Sequence, residues 1–224
     1  VFNGVPIYSI ICNLKNKNSL NLGIIGNCKS AALINEDSSI DWCCLPQFDS
    51  PSVFGKIIDE KIGGSFKIEC DPSFQIKQSY IENTNILCTR FSQGENIFEL
   101  LDFMPRYQKE DGLYYAPPEL TRVFKHISGS PKLKIIYDPR LEYAIGETNN
   151  YIKEEFIVSV VDDKYYDTLF LYTDFNKESV LSGEEFTLKK DQFTTVSYNE
   201  KIKVPTLENT LLEYERTKVY WLNW

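Results

Sequence analysis

From Ser65 onward, apolar and polar residues alternate with period two, the pattern of strands that bury one face. Phe66/Ile68/Cys70, Leu133/Ile135/Tyr137, Leu169/Leu171 and Phe186/Leu188 fall on one side, with Lys67/Glu69, Lys132/Lys134 and Thr187/Lys189 opposite. Gln75–Ile81, Ile86–Ser92, Ile97–Met104, Thr121–Ile127, Tyr151–Val161 and Thr194–Tyr198 are further β-rich runs. Ser92–Asn96, Ser128–Pro131, Asp162-Asp163 and Ser182-Gly183 supply the reversals between them. Close turn spacing without intervening helical periods predicts an all-β fold of antiparallel layers packed as a sandwich.

Two segments break this rhythm. In 49–58, Asp49 or Ser50 can cap, Pro51 suits a first turn, and Val53/Phe54/Ile57/Ile58 form one apolar stripe before Gly63-Gly64. A short helix near 50–60 is therefore expected. Leu207–Trp224 interleaves Glu208, Glu213 and Glu215 with Leu211, Leu212, Tyr214, Val219, Tyr220, Trp221 and Trp224, and predicts a second helix. Its aromatic end has no evident place inside a sandwich, so Tyr220, Trp221 and Trp224 are expected to dock against a further body. Residues 1–20 read as an extension: an apolar strand within Val5–Cys12, then a polar loop of Asn13, Lys15, Asn16, Lys17 and Asn18. The sandwich then spans 21–206, and 207–224 opens a linker.

With 24 Lys and Arg against 32 Asp and Glu, the net charge of −8 argues against nucleic-acid and anionic-membrane partners, whose phosphates require cations. The Val5–Cys12 run is much shorter than the ~20 residues that span a bilayer, and no cationic region precedes it as in a signal peptide. Six cysteines without a CxxC pair are expected to be reduced core thiols, which suits a cytoplasmic setting. Neither metal nor cofactor is expected, since one histidine, His126, lies mid-strand without partners in a ligand pattern. Gly23–Asn27 lacks the spacing of a phosphate loop.

The densest constellation is Ser39–Pro51, which gathers Asp41, Trp42, Pro46, Phe48, Asp49 and Ser50. Carboxylates beside aromatic faces serve sugar-binding clefts, and they equally serve ordinary caps and turns. Asp102 near Arg106 and Asp138 near Arg140 suggest loop-fixing ion pairs. No catalytic residue is assigned.

The run Gly23–Ile34, followed by Ser39–Phe54, resembles the non-catalytic N-terminal domain of prokaryotic glycoside hydrolase family 15 proteins, the glucoamylase, glucodextranase and trehalase-like enzymes. Tyr80–Leu87, Leu101–Arg106, Arg122 with Ser128-Gly129, and Asp138–Tyr143 continue the likeness, whereas Lys29 stands where arginine is usual and Gln47 where a basic residue is frequent. The resemblance implies a β-supersandwich joined by a helical linker to a catalytic (α/α)6 barrel of the same polypeptide, which carries the general acid and base. Because aromatic, acidic and capping residues concentrate in Asp41–Phe54, this loop and helix are expected to face that barrel and help shape the rim of its active site, with α-glucan or trehalose as the expected substrate. The alternative is a stand-alone α-glucan-binding sandwich, which would present solvent-facing tryptophans or tyrosines on one sheet face.

Overall fold

The structure, a computed structural model, describes residues 21–161 and 164–224. The expected 1–20 extension, with its Val5–Cys12 strand, and the Asp162-Asp163 turn lie outside the described residues. In chain order the strands are β1 (Leu22–Gly26), β2 (Ala31–Asn35), β3 (Ile40–Cys44), β4 (Ser52–Phe54), β5 (Ser65–Cys70), β6 (Gln75–Tyr80), β7 (Leu87–Gln93) and β8 (Asn96–Phe103). There follow β9 (Tyr107–Gln108), β10 (Tyr114–Tyr115), β11 (Glu119–Ser128), β12 (Lys132–Asp138), β13 (Thr148–Ile152), β14 (Ile157–Val161), β15 (Lys164–Thr173), β16 (Glu185–Thr187) and β17 (Gln192–Tyr198). The helices are α1 (Lys177–Ser182) and α2 (Leu207–Leu222).

One sheet runs β1-β2-β3-β5-β12-β16 with β4 paired to β3; the other runs β13-β14-β15-β17-β11-β8-β7-β6. Neighbouring strands pair antiparallel throughout the described residues, as the short reversals require. Ile34, Phe54, Phe66, Ile135 and Tyr137 from the first sheet meet Phe91, Phe98, Leu100, Phe124 and Leu171 from the second in one core. The alternation read from the sequence holds in β12, where Leu133, Ile135 and Tyr137 are buried while Lys132 and Lys134 are exposed. At the Ser128–Pro131 reversal Gly129 has φ +72°, and a Cβ there would lie 2.5 Å from Asn96 Oδ1, so only glycine closes the turn without displacement.

Arg122 ties the layers together. Its side chain is fully buried, and Nε donates to Asp102 Oδ1 at 2.8 Å on the neighbouring strand. Nη1 donates to Phe66 O of the opposite sheet at 2.7 Å, and Nη2 to Ser38 O in the β2–β3 turn. The expected partnership of Asp102 with Arg106 is thus replaced: register sets Arg122 directly opposite Asp102. Asp138 and Arg140 do pair, at 2.9 Å.

The expected helix near 50–60 is a second correction. Ser52–Phe54 instead forms the buried strand β4 against Cys43 and Cys44 of β3. Gly55 and Gly63 then close a tight loop through a 2.7 Å backbone bond, with no room for a Cβ on Gly63, 2.2 Å from Gly55 O. A β-branched and an aromatic side chain next to an open strand gain more from pairing and burial than from three residues of helix. The short helix of the fold is α1, capped by Asn176 Oδ1, which accepts from Ser179 N, and by left-handed Gly183. Tyr151–Val161, read as one run, reverses at Lys153–Phe156 to give β13 and β14.

Helix α2 falls where expected. Thr206 caps it, accepting from Asn209 N, and Leu207, Leu211 and Tyr214 pack on the outer face of the second sheet over Ile86, Leu101, Phe103, Val123 and Phe193. The helix therefore has a base on the sandwich, while Leu212, Val219, Leu222 and Trp224 remain exposed. No helix among the described residues is long and apolar enough to cross a membrane.

Candidate functional site

One end of the sandwich gathers most of the singled-out residues, and its keystone is the turn between β1 and β2. Asn27 is fully buried; its Oδ1 accepts from Lys29 N and Ser30 N at 3.1 and 3.0 Å, and its Nδ2 donates to Pro117 O at 2.7 Å. Cys28 takes φ 66° to close the turn. Ser30 Oγ donates to Cys44 O, and Phe48 N donates to Lys29 O at 3.0 Å. The 45–50 loop, entered through a cis Leu45–Pro46 bond, thus rests on this turn. Pro46, Phe48 and Asp49 point to solvent, Phe48 being 61% exposed. Ser50 is half-buried; its Oγ accepts from Gln47 N at 3.1 Å and its carbonyl accepts from the Tyr143 hydroxyl at 3.4 Å. Tyr143 sits in a turn where Glu142, Tyr143 and Ala144 all take φ between 51° and 60°. Three successive left-handed residues without glycine are a costly arrangement that the surrounding packing must hold.

Arg106 carries the network on to α2. Its Nη1 donates to Asn27 O at 2.8 Å, its backbone N donates to Thr217 Oγ1 at 3.2 Å, and its guanidinium lies 4.9 and 5.0 Å from the Tyr114 and Tyr220 ring centroids. Tyr220 stacks edge-on with Trp221 at 5.0 Å, and Trp221 with Trp224 at 5.9 Å. Between the β9–β10 hairpin and this end of α2 lies a groove of about 1080 Å³, with Tyr107, Tyr114, Tyr115, Arg216, Tyr220 and Trp224 among its walls. Tyr220 and Trp221 are half-buried and Trp224 is 86% exposed.

The remaining singled-out residues stand apart. Asp41 lies at the far end of β3 from Pro46, where it accepts from Asn35 Nδ2 at 2.9 Å and Ser39 Oγ at 2.5 Å and faces Lys56 at 3.7 Å. It organises the β2–β3 turn and does not reach the 45–50 loop's surface. Trp42 is half-buried in β3 opposite Leu33. Arg106 was expected only as an ion-pair partner of Asp102, and Asn27, Tyr107, Tyr114 and Tyr115 were not singled out as site residues, although the tyrosine cluster between Pro105 and Pro117 was visible as a local aromatic excess.

The thiols of Cys28, Cys43, Cys44, Cys70 and Cys88 are free. Burial pushes Cys70 up to about 12 and Cys88 up to about 11, so both stay protonated at neutral pH. Among the described residues no group of three or more His, Cys, Asp or Glu could hold a metal ion. The end face therefore offers ring faces, an arginine and exposed loop apexes, the elements of recognition.

A family model described as "Trehalase-like, N-terminal" matches residues 16–163. The trehalase of Thermoplasma volcanium is 34% identical over 172 residues, covering 75% of this chain and 25% of that protein. The trehalase of Thermoplasma acidophilum is 29% identical over 197 residues, 86% of this chain and 33% of that protein. Trehalase 2 of Sulfolobus acidocaldarius is 43% identical over 86 residues, 38% of this chain and 14% of that protein. The chain thus spans a third or less of the length of these curated relatives. No solved structure matches it significantly.

Proposed function

The chain belongs to the trehalase-like N-terminal family, and we propose that it serves as the non-catalytic β-sandwich of an α-glucoside hydrolase of glucoamylase or trehalase type. In this reading it supports a catalytic (α/α)6 barrel of the same polypeptide, in the cytoplasm, and the 45–50 loop helps to shape the rim of that barrel's active site, with trehalose or an α-glucan as substrate. One observation carries the reading: the contacts Phe48–Lys29, Asn27–Arg106 and Arg106–Tyr220 weld the exposed loop to the aromatic end of α2 in a single face. A face that is rigid, aromatic and partly open is what an interdomain contact requires. Free thiols at five described cysteines support the reducing compartment.

The glucan-binding alternative is less well supported. Tyr80, Tyr114, Tyr143, Tyr151 and Trp224 are exposed, but they lie on separate elements, not as a row on one sheet face. The test is replacement of residues 46–50 by a glycine-serine loop in the polypeptide that carries both domains. Turnover of trehalose or maltose is expected to fall about tenfold or more while the sandwich unfolds at an unchanged denaturant concentration. Unchanged turnover removes the rim role, and oligosaccharide heat in calorimetry with the chain alone would favour the binding module.

A further inference from the structure

We propose that the outer edge of β1 is a self-complementary pairing surface for a second copy of this chain, and that Tyr80 and Asn85 hold it shut. β1 ends the first sheet, and among the described residues it pairs with β2 alone. Its outward backbone groups would stand open, but side chains from the second sheet occupy them. The Tyr80 hydroxyl, at the end of β6, accepts from Ile24 N at 2.7 Å and donates to Ile24 O at 2.9 Å. Asn85 Nδ2 donates to the same carbonyl at 3.1 Å, and Asn85 Oδ1 accepts from Gly26 N. The turn that carries Asn85 is itself fixed: Ile81 N donates to Ile86 O at 2.9 Å, and Thr84 Oγ1 donates to Ile81 O at 2.8 Å. Two side chains thus take the place of a neighbouring strand.

An open edge is a template for another chain, and sheets guard their edges with charge, proline or a covering element. The β1 sequence Leu-Gly-Ile-Ile-Gly holds neither charge nor proline, so its protection falls to the cap. Ile24 N and O both leave the strand on the outer side, the geometry of a residue that exchanges two bonds with its opposite number in an antiparallel pair. The occupant that fits is a second β1 related by a two-fold axis, with Ile24 opposite Ile24 and Leu22 opposite Gly26. Each bond the Tyr80 hydroxyl makes to Ile24 is one that this pair would make instead, so cap and second copy exclude each other.

The test is the mass of the chain by light scattering at about 100 μM, within the range where exposed edges associate. Tyr80→Phe with Asn85→Ala is expected to double the wild-type mass. Adding Ile24→Lys, at a position already 49% exposed, sets two lysines face to face across the pair and is expected to restore the wild-type mass. A folded double variant that keeps the wild-type mass overturns the proposal. So does an enlarged species that survives Ile24→Lys, or a wild type whose mass Ile24→Lys lowers by itself. Should the double variant fail to fold, Tyr80→Phe alone is followed by amide exchange: protection of the Ile24 N–H that rises with protein concentration supports the pairing, and protection independent of concentration overturns it.

Discussion

Replacing Arg122 by methionine keeps most of the buried volume and removes the charge, which isolates the worth of the cross-sheet tie. Asp102, fully buried, would then hold a charge with no counter-ion, a loss of about 3–5 kcal/mol. The carbonyls of Phe66 and Ser38 would each lose a donor, at about 1 kcal/mol apiece. Together this is about 5–7 kcal/mol, a large part of the 5–15 kcal/mol that typically separates folded from unfolded domains. Urea unfolding followed by circular dichroism is expected to show this loss in R122M. The double variant Asp102→Leu with Arg122→Met removes the orphaned charge and is expected to recover about 3–5 kcal/mol, leaving only the cost of the two carbonyls. A single-variant cost under about 2 kcal/mol, or a double variant as poor as the two singles added, would refute the assignment of Arg122 as the tie between layers.

Arg106→Met removes a charge-assisted bond to Asn27 O and two ring contacts, about 2–3 kcal/mol in total. Its expected signature is local: amide exchange accelerates over residues 217–222 and the Trp221/Trp224 emission shifts, while the sheets keep their protection; uniform acceleration would contradict a local clamp. Peptide-mapped thiol labelling at pH 8 is expected to modify exposed Cys28 rapidly, and buried Cys43 and half-buried Cys70 and Cys88 more slowly, since desolvation holds those thiols protonated. Equal rates at Cys28 and Cys70 would show that the first sheet opens readily.

Much of the sandwich was legible because a period of two states which face of a strand is wet. Strands β5, β12 and β16 could be read this way residue by residue, and the Ser92–Asn96 and Ser128–Pro131 reversals by their turn residues. The helix expected near 50–60 failed for a nonlocal reason. Val53 and Phe54 fit a helical stripe, but β3 offered them a pairing edge and a buried slot that local spacing does not encode. Of the residues that composition grouped together, Pro46, Phe48, Ser50 and the Tyr220–Trp224 aromatics come to one end face, whereas Asp41 lies in the β2–β3 turn. Local spacing marked Arg106 only as a partner for nearby Asp102, and nothing local joined it to Asn27, 79 residues away in the chain.

By itself, then, the order of residues determined the all-β class, the inward and outward side of most strands, the C-terminal helix and the likeness to a family. Tertiary structure alone decided partnership: that Asp102 faces Arg122 and not Arg106, and that the 45–50 loop joins the aromatic end of α2 through Lys29, Asn27 and Arg106. The reason is physical. Side-chain direction follows from a local repeat, whereas a contact depends on strand register and sheet stacking, which are settled by burial summed over the whole chain.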